Sequence, residues 1–131
     1  MRQLLLVLDD MLGDMNLNKT LSAVVTRGRH SGISILASSQ TIKGLSSAMR
    51  KNFSAWALGK LSAADWRVFE DEHAGSWVTR EQLRELYKRA TQKKYGFGYY
   101  RSRSNHKERM FYANLTERLH VTRGGKGAVI R

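Results

Sequence analysis

Five consecutive apolar residues, Leu4-Leu5-Leu6-Val7-Leu8, end abruptly at two carboxylates, Asp9 and Asp10. An unbroken apolar run of strand length predicts a buried strand of a parallel sheet, with helices covering both faces. Behind a polar loop containing Gly13, Leu17, Leu21, Val24 and Val25 recur at helical spacing. They predict a helix capped by Asn18 and ended by Gly28. A second short apolar run, Ile33, Ile35, Leu36 and Ala37, predicts a strand over 33–38 that runs out into Ser38, Ser39 and Gln40. Ser46 or Ser47 can cap a short helix through Met49, Arg50 and Lys51, and residues 53–58, with Ala55, Trp56, Ala57 and Leu58, read as a third buried strand. Strand, helix, strand, helix, strand is the rhythm of an α/β fold with a parallel sheet.

The pattern then changes. Ser62 with Asp65 three residues later makes a variant capping box, and Trp66, Phe69 and His73 continue a helical face toward Gly75. Thr79 with Gln82 makes a second box. Leu83, Leu86, Tyr87 and Ala90 form one stripe of that helix; Arg80, Arg84, Lys88 and Arg89 form the other. Tyr95, Phe97 and Tyr99 alternate, as do Met110 and Tyr112, and they flank a basic stretch at 102–107. These segments predict an antiparallel hairpin with a basic loop. Residues 116–131 read as a basic, mobile tail, with Gly124, Gly125 and Gly127 in its last part. Trp56, Trp66 and Trp77 are expected in the core.

Composition narrows the function classes. A chain of 131 residues with no cysteine fits one domain without disulfides or thiolate metal sites. No apolar run approaches the roughly 18 residues that span a membrane, and the first residues lack the features of a signal peptide. The four histidines show no ligand spacing. The net charge of +12 is uneven: residues 1–78 hold 9 Lys/Arg against 7 Asp/Glu, and residues 79–131 hold 14 against 4. A basic lobe of net +10 beside a nearly neutral one of net +2 points to a polyanion, most simply nucleic acid. Tyr95, Phe97, Tyr99 and Tyr100, interleaved with Lys93, Lys94, Arg101 and Arg103, fit stacking on single-stranded nucleic acid. A half-buried hairpin explains the same alternation and is the preferred reading. Lys43 and Lys51 are alternative DNA-facing cations.

Candidate chemistry sits at the strand ends, where open α/β sheets bind ligands. Acids there can hold hydrated Mg²⁺ and orient a water, which is the logic of a Walker B strand. Ser39 and Gln40 end the second strand, and Arg27 and Arg29 lie on the connection between the two. In this order LLLVLDD, a helix, RGRHSGISILASSQ and SAMRKNFSAWAL resemble the C-terminal half of FtsK/HerA-type ATPases. The likeness is greatest to viral genome-packaging ATPases of poxvirus, giant-virus and virophage type. Arg50 and Asn52 match the arginine-asparagine pair that precedes the next strand in that family. The resemblance covers about residues 3–115 and implies a RecA/FtsK-like three-layer P-loop ATPase fold, ATP and Mg²⁺ as cofactors, and a homo-oligomeric ring that moves double-stranded DNA.

By the same resemblance Asp9 is the acid that holds Mg²⁺ through water, and Asp10 takes the place of the catalytic carboxylate. Gln40 is the γ-phosphate sensor, with Ser39 as alternate; Arg29 is the arginine finger, with Arg27 as alternate. Arg101 and Arg103 join Lys43 and Lys51 as DNA contacts. A capsid or portal protein is an implied partner, and the host cytoplasm, a viral factory or the virion is the implied location; no membrane is involved. No G-x-x-x-x-G-K-[ST] occurs in the sequence. The expected fold is therefore incomplete: a C-terminal part of the ATPase domain over 1–115, with a basic helix and hairpin at 78–115, inactive toward ATP by itself. Two other readings stand beside it: a non-enzymatic nucleic-acid-binding module on a degraded ATPase fold, and a conjugation or segregation ATPase of the same superfamily.

Overall fold

The computed structural model describes residues 3–10, 15–75 and 77–121. The glycine-bearing part of the expected tail, 122–131, lies outside the described residues. The chain divides into two compact units, Met1–Phe53 and Ser54–Arg131. Together they are a mixed α/β protein, and each has its own sheet.

In the first unit, β1 (Leu4–Leu8) and β2 (Ile33–Ala37) pair in parallel, with Leu4 opposite Ile33 and Leu8 opposite Ala37. Parallel strands need a crossover, and helix α1 (Met15–Arg27) supplies it. The helix runs into a 3-10 turn, Gly28–Ser31, and stops at Gly32, whose φ of 67° is left-handed and suits glycine. Asn18 lies inside α1 rather than capping it, whereas α1 ends at Arg27, directly before Gly28, as expected. Helix α2 (Ser47–Asn52) is capped by Ser46, whose hydroxyl accepts from the Met49 amide, as expected from the sequence. Ser22 and Ser46 hydroxyls, 2.9 Å apart, link α1 to that cap. Leu21 and Val25 of α1 and Leu45 and Met49 beside them are buried. Each large apolar side chain so buried contributes roughly 1.5–3 kcal/mol.

The expectation of a strand covered on both faces is corrected here. Parallel partners share a face, so Leu5, Val7, Ser34 and Leu36 lie together on one side. Leu5, Val7 and Leu36 are 61%, 57% and 61% exposed, and no described element covers them. Leu8, on the opposite face, is buried.

The third strand, β3 (Trp56–Leu58), is also corrected: it does not extend the parallel sheet. It pairs antiparallel with β4 (Gly98–Tyr100), and β5 (Phe111–Ala113) and β6 (Glu117–Leu119) complete a four-stranded sheet in the order β3-β4-β5-β6. The hairpin β4–β5 is the predicted one, and β6 occupies part of the stretch read as tail. Helices α3 (Ala63–His73) and α4 (Arg80–Ala90) are started by the Ser62 cap and by the Thr79–Gln82 capping box. Such caps satisfy amides that the first turn leaves without partners, each contributing about 1 kcal/mol.

Aromatic rings fill this unit's core. Phe69, 1% exposed, stacks on His73 with centroids 4.1 Å apart, and Trp56 meets Phe69 edge-on at 5.7 Å. Trp66 stacks on Tyr87 at 4.3 Å. The Tyr87 hydroxyl donates to the Gly59 carbonyl at 2.8 Å and accepts from the Leu61 amide at 2.7 Å, so the α4 stripe also anchors the segment before α3. Trp77 departs from the core expectation: it is half-exposed, with the Lys107 ammonium over its ring. Among the described residues no helix is long and apolar enough to cross a membrane.

One buried carboxylate joins the two helices. Glu70 is 1% exposed, and Arg84 meets it at 2.5 Å and 2.9 Å; Arg80 adds a contact at 3.3 Å. The Arg84 hydrogen bond holds the Glu70 carboxyl below its ordinary pKa, against the opposing effect of burial. The His73 imidazole is also pulled down, chiefly by burial; its Nδ1 lies 2.9 Å from the Phe69 carbonyl, which raises it in part.

These shifts set the acid side of stability. Below about pH 6.5 the unfolded chain binds a proton at His73 that the folded chain resists, so stability falls with pH until the folded His73 also titrates. The Glu70 contribution is complete above its unfolded pKa and is lost only as pH falls further, through the depressed folded value. Thermal unfolding of His73→Phe, which keeps the ring packing, is expected to lose the first decline and keep the second; an unchanged profile would exclude His73 as its source.

Candidate functional site

The parallel pairing fixes what stands at the carboxyl end of the first sheet. Because Leu8 pairs with Ala37, the next residues, Asp9 and Ser38, leave the sheet side by side. The Ser38 amide donates to the Leu8 carbonyl at 2.8 Å, continuing the ladder by one bond. Its hydroxyl then does two jobs, donating to Asp9 Oδ1 at 2.5 Å and accepting from the Asp10 amide at 3.1 Å. The Gln40 Nε2 amide donates to Asp10 Oδ2 at 3.1 Å. Two acids from one strand are thus each held by a polar residue following the neighbouring strand.

The backbone bends to allow this. Asp10 has φ of 52°, in the left-handed region where a short polar side chain is tolerated better than most. That conformation turns the Asp10 amide toward Ser38 while its carboxylate meets Gln40. Asp9, Asp10, Ser38 and Gln40 are all exposed, so the cluster faces solvent.

The residues expected from sequence separate into those brought together and those not. Asp9, Asp10 and Gln40 form one cluster. Ser39 is exposed and turned into its own loop, donating to the Thr41 carbonyl at 2.9 Å. Arg27 is exposed at the end of α1, and Arg29 lies in the 3-10 turn that follows, with its side chain outside the described part of the structure. Arg50 donates to the Leu45 carbonyl, and Asn52 donates to the Ala48 carbonyl at 2.8 Å. Lys43 and Lys51 are exposed in the first unit, and Arg101 and Arg103 are exposed on the β4–β5 connection of the second.

Ser38 is the residue that sequence reasoning passed over. In the sequence it reads as the end of a strand, and Ser39 and Gln40 beyond it offer the more evident candidates. Once the strands are aligned, Ser38 is the first position past β2, opposite the first acid past β1. The signal was present as register, which a single strand does not reveal.

As a donor set, the cluster offers two carboxylates, a hydroxyl and an amide. Among the described residues no three His, Cys, Asp or Glu side chains gather as a metal cage. Two hard oxygen acids without a closed cage suit Mg²⁺, which keeps several waters and shares phosphate oxygens. Zinc would require a fuller set of protein ligands.

The family model described as poxvirus A32 protein matches residues 1–74 of the 131, more than half of the chain, including the whole first unit and α3. No curated protein matches the chain, and no solved structure does.

Replacing Ser38 by alanine removes the donor to Asp9 and the acceptor for the Asp10 amide together. The expected cost is on the order of 0.5–1 kcal/mol, small because water can replace both partners. A urea titration reads it, and a stability equal to that of the parent chain would mean that the serine bridge does not hold the acids.

Proposed function

This chain belongs to the poxvirus A32 protein family, and on that premise we propose that it carries the acid-bearing part of a viral genome-packaging ATPase of FtsK/HerA type. The family is linked to viral packaging ATPases. The observation that carries the reading is the hydrogen-bonded set Asp9–Ser38 and Asp10–Gln40 across the ends of two parallel strands. An acid pair beside a polar sensor, at that edge of an α/β sheet, is the arrangement a nucleotide hydrolase requires.

In this reading the fold is RecA/FtsK-like, and the phosphate-binding P-loop comes from a segment or chain outside these 131 residues. The uncovered apolar face of Leu5, Val7 and Leu36 supports it. A two-stranded parallel sheet open on one side suits a fold whose remaining strands and helices are supplied from elsewhere. Bound Mg²⁺ would neutralise charge on the nucleotide phosphates, and Asp9 would hold it through water.

The chain's own residues then have separable tasks. Asp10 orients and polarises the attacking water. Gln40, whose amide is engaged by Asp10, turns that donor toward the terminal phosphate when nucleotide is present. Ser38 fixes the Asp9 carboxylate and the Asp10 backbone. Arg29, or Arg27, reaches the site of a neighbouring subunit in a ring, where a fixed guanidinium stabilises charge developing on the phosphate. Duplex DNA is the substrate moved, and Lys43, Lys51, Arg101 and Arg103 contact its phosphates with little sequence readout. A capsid or portal protein is the docking partner, and the host cytoplasm or viral factory, or the virion itself, is the place of action.

Two measurements test this. In a protein that includes the P-loop, Asp10→Asn is expected to abolish ATP turnover and leave duplex binding unchanged. Unaltered turnover would transfer the site elsewhere and favour a binding module without catalysis. Duplex affinity of the intact chain should fall steeply with salt, because released counterions drive phosphate binding; affinity indifferent to salt would reject the DNA assignment.

A further inference from the structure

The stretch 86–107 carries seven lysines and arginines and no acid. At its centre stands Tyr95, which is 87% exposed, more than any other large apolar side chain among the described residues. Its φ is 62°. Among the described residues the other non-glycine positions with positive φ are Asp10 and Asn114, types that tolerate it, whereas a bulky side chain there is an outlier.

The turn that leads from α4 into β4 imposes this conformation. A Cβ on Gly96 would lie 2.5 Å from the Ala90 carbonyl oxygen and 3.0 Å from that of Lys93, so the chain passes tightly over the end of α4. Glycine or asparagine would serve at position 95 with less strain. Tyrosine gains no burial there that offsets the strain. Strain kept at an exposed position points to a ligand rather than to folding.

The neighbouring aromatics are already committed. Tyr100 and Phe111 are buried and stack at 4.8 Å, and Tyr99 and Tyr112 pair across the sheet at 6.0 Å. The hairpin thus accounts for Tyr99 and Tyr100 but not for Tyr95. Tyr95 instead carries the Lys94 ammonium 5.1 Å from its ring centroid, with Lys93 exposed beside it.

We propose that Tyr95, flanked by Lys93 and Lys94, is a stacking platform for an unpaired base of a nucleic-acid strand. The ring offers a flat face, and the ammonium groups meet the phosphates next to the stacked base. Bases inside a duplex stack on one another and present only edges and backbone, so the platform selects single strands, frayed ends or unpaired junctions. The inference goes beyond duplex translocation. It rests on the basic unit binding nucleic acid and not on ATP hydrolysis.

Fluorescence anisotropy of the intact chain with a labelled oligothymidylate and with a duplex of equal length, both at low salt, tests it. Tyr95→Gly is expected to weaken single-strand binding about ten-fold, to change duplex binding by less than about two-fold, and to raise the thermal midpoint by relieving the left-handed strain. Tyr95→Phe should keep the single-strand affinity. An unchanged single-strand affinity in Tyr95→Gly, equal losses on both ligands, or a lowered thermal midpoint would each overturn the proposal. Tight single-strand binding without duplex binding in the parent chain would overturn the duplex assignment and leave the platform standing, whereas binding to neither would reject both.

Discussion

The parallel register between β1 and β2 is the constraint on which the Asp9–Ser38 and Asp10–Gln40 cluster depends. Asp9 and Ser38 lie 29 positions apart in sequence, yet the pairing of Leu8 with Ala37 places them side by side at the sheet end. A slip of one residue would turn every side chain of one strand to the opposite face. It would also part Ser38 from Asp9 and Gln40 from Asp10. Helix α1, the 3-10 turn and the left-handed Gly32 that ends it together set the return of the chain into β2. The site is therefore a product of the crossover, although no crossover residue belongs to the cluster.

What could be read from the sequence was local. The caps at Ser46, Ser62 and Thr79 were legible because a hydroxyl three residues ahead of its amide partner is a short-range signal. The hairpin of Tyr99 and Tyr112 was legible from alternation. The partner of Trp56–Leu58 was not, because a short apolar run looks the same in a parallel sheet and beside a hairpin. Asn18 has the residue type of a cap, but the helix already begins at Met15, so local sequence alone misplaces its start. Asp9, Asp10 and Gln40 stand out in the sequence by their place at strand ends, whereas the place of Ser38 beside them emerges only when the two strands are aligned. Trp77 was assigned to the core by its apolar bulk, whereas Lys107 over its ring shows how a large aromatic can remain at the surface.

Charge is handled differently in the two units. In the second, cations near α3 and α4 are partly consumed: Arg80 and Arg84 serve the buried Glu70, and Arg89 lies 3.7 Å from Glu117. The bridges from Arg80 and Arg84 contribute mainly by preventing an uncompensated buried carboxylate at Glu70. Beyond the helix end, Lys93, Lys94, Arg101, Arg103 and Lys107 follow one another with no acid between them. In the first unit two adjacent carboxylates, Asp9 and Asp10, stand at the end of β1. The acid pair and the acid-free basic stretch are thus carried by separate units of the chain.

The most direct test of the acid pair is to titrate Mn²⁺, as a paramagnetic stand-in for Mg²⁺, into the ¹⁵N-labelled intact chain and follow its amide resonances. The account predicts that the amides of Asp9, Asp10, Ser38 and Gln40 broaden first, and that Asp9→Asn abolishes that selectivity. Broadening that begins instead at the exposed acids Asp71 and Glu72, or that spreads evenly over all surface carboxylates, would contradict it.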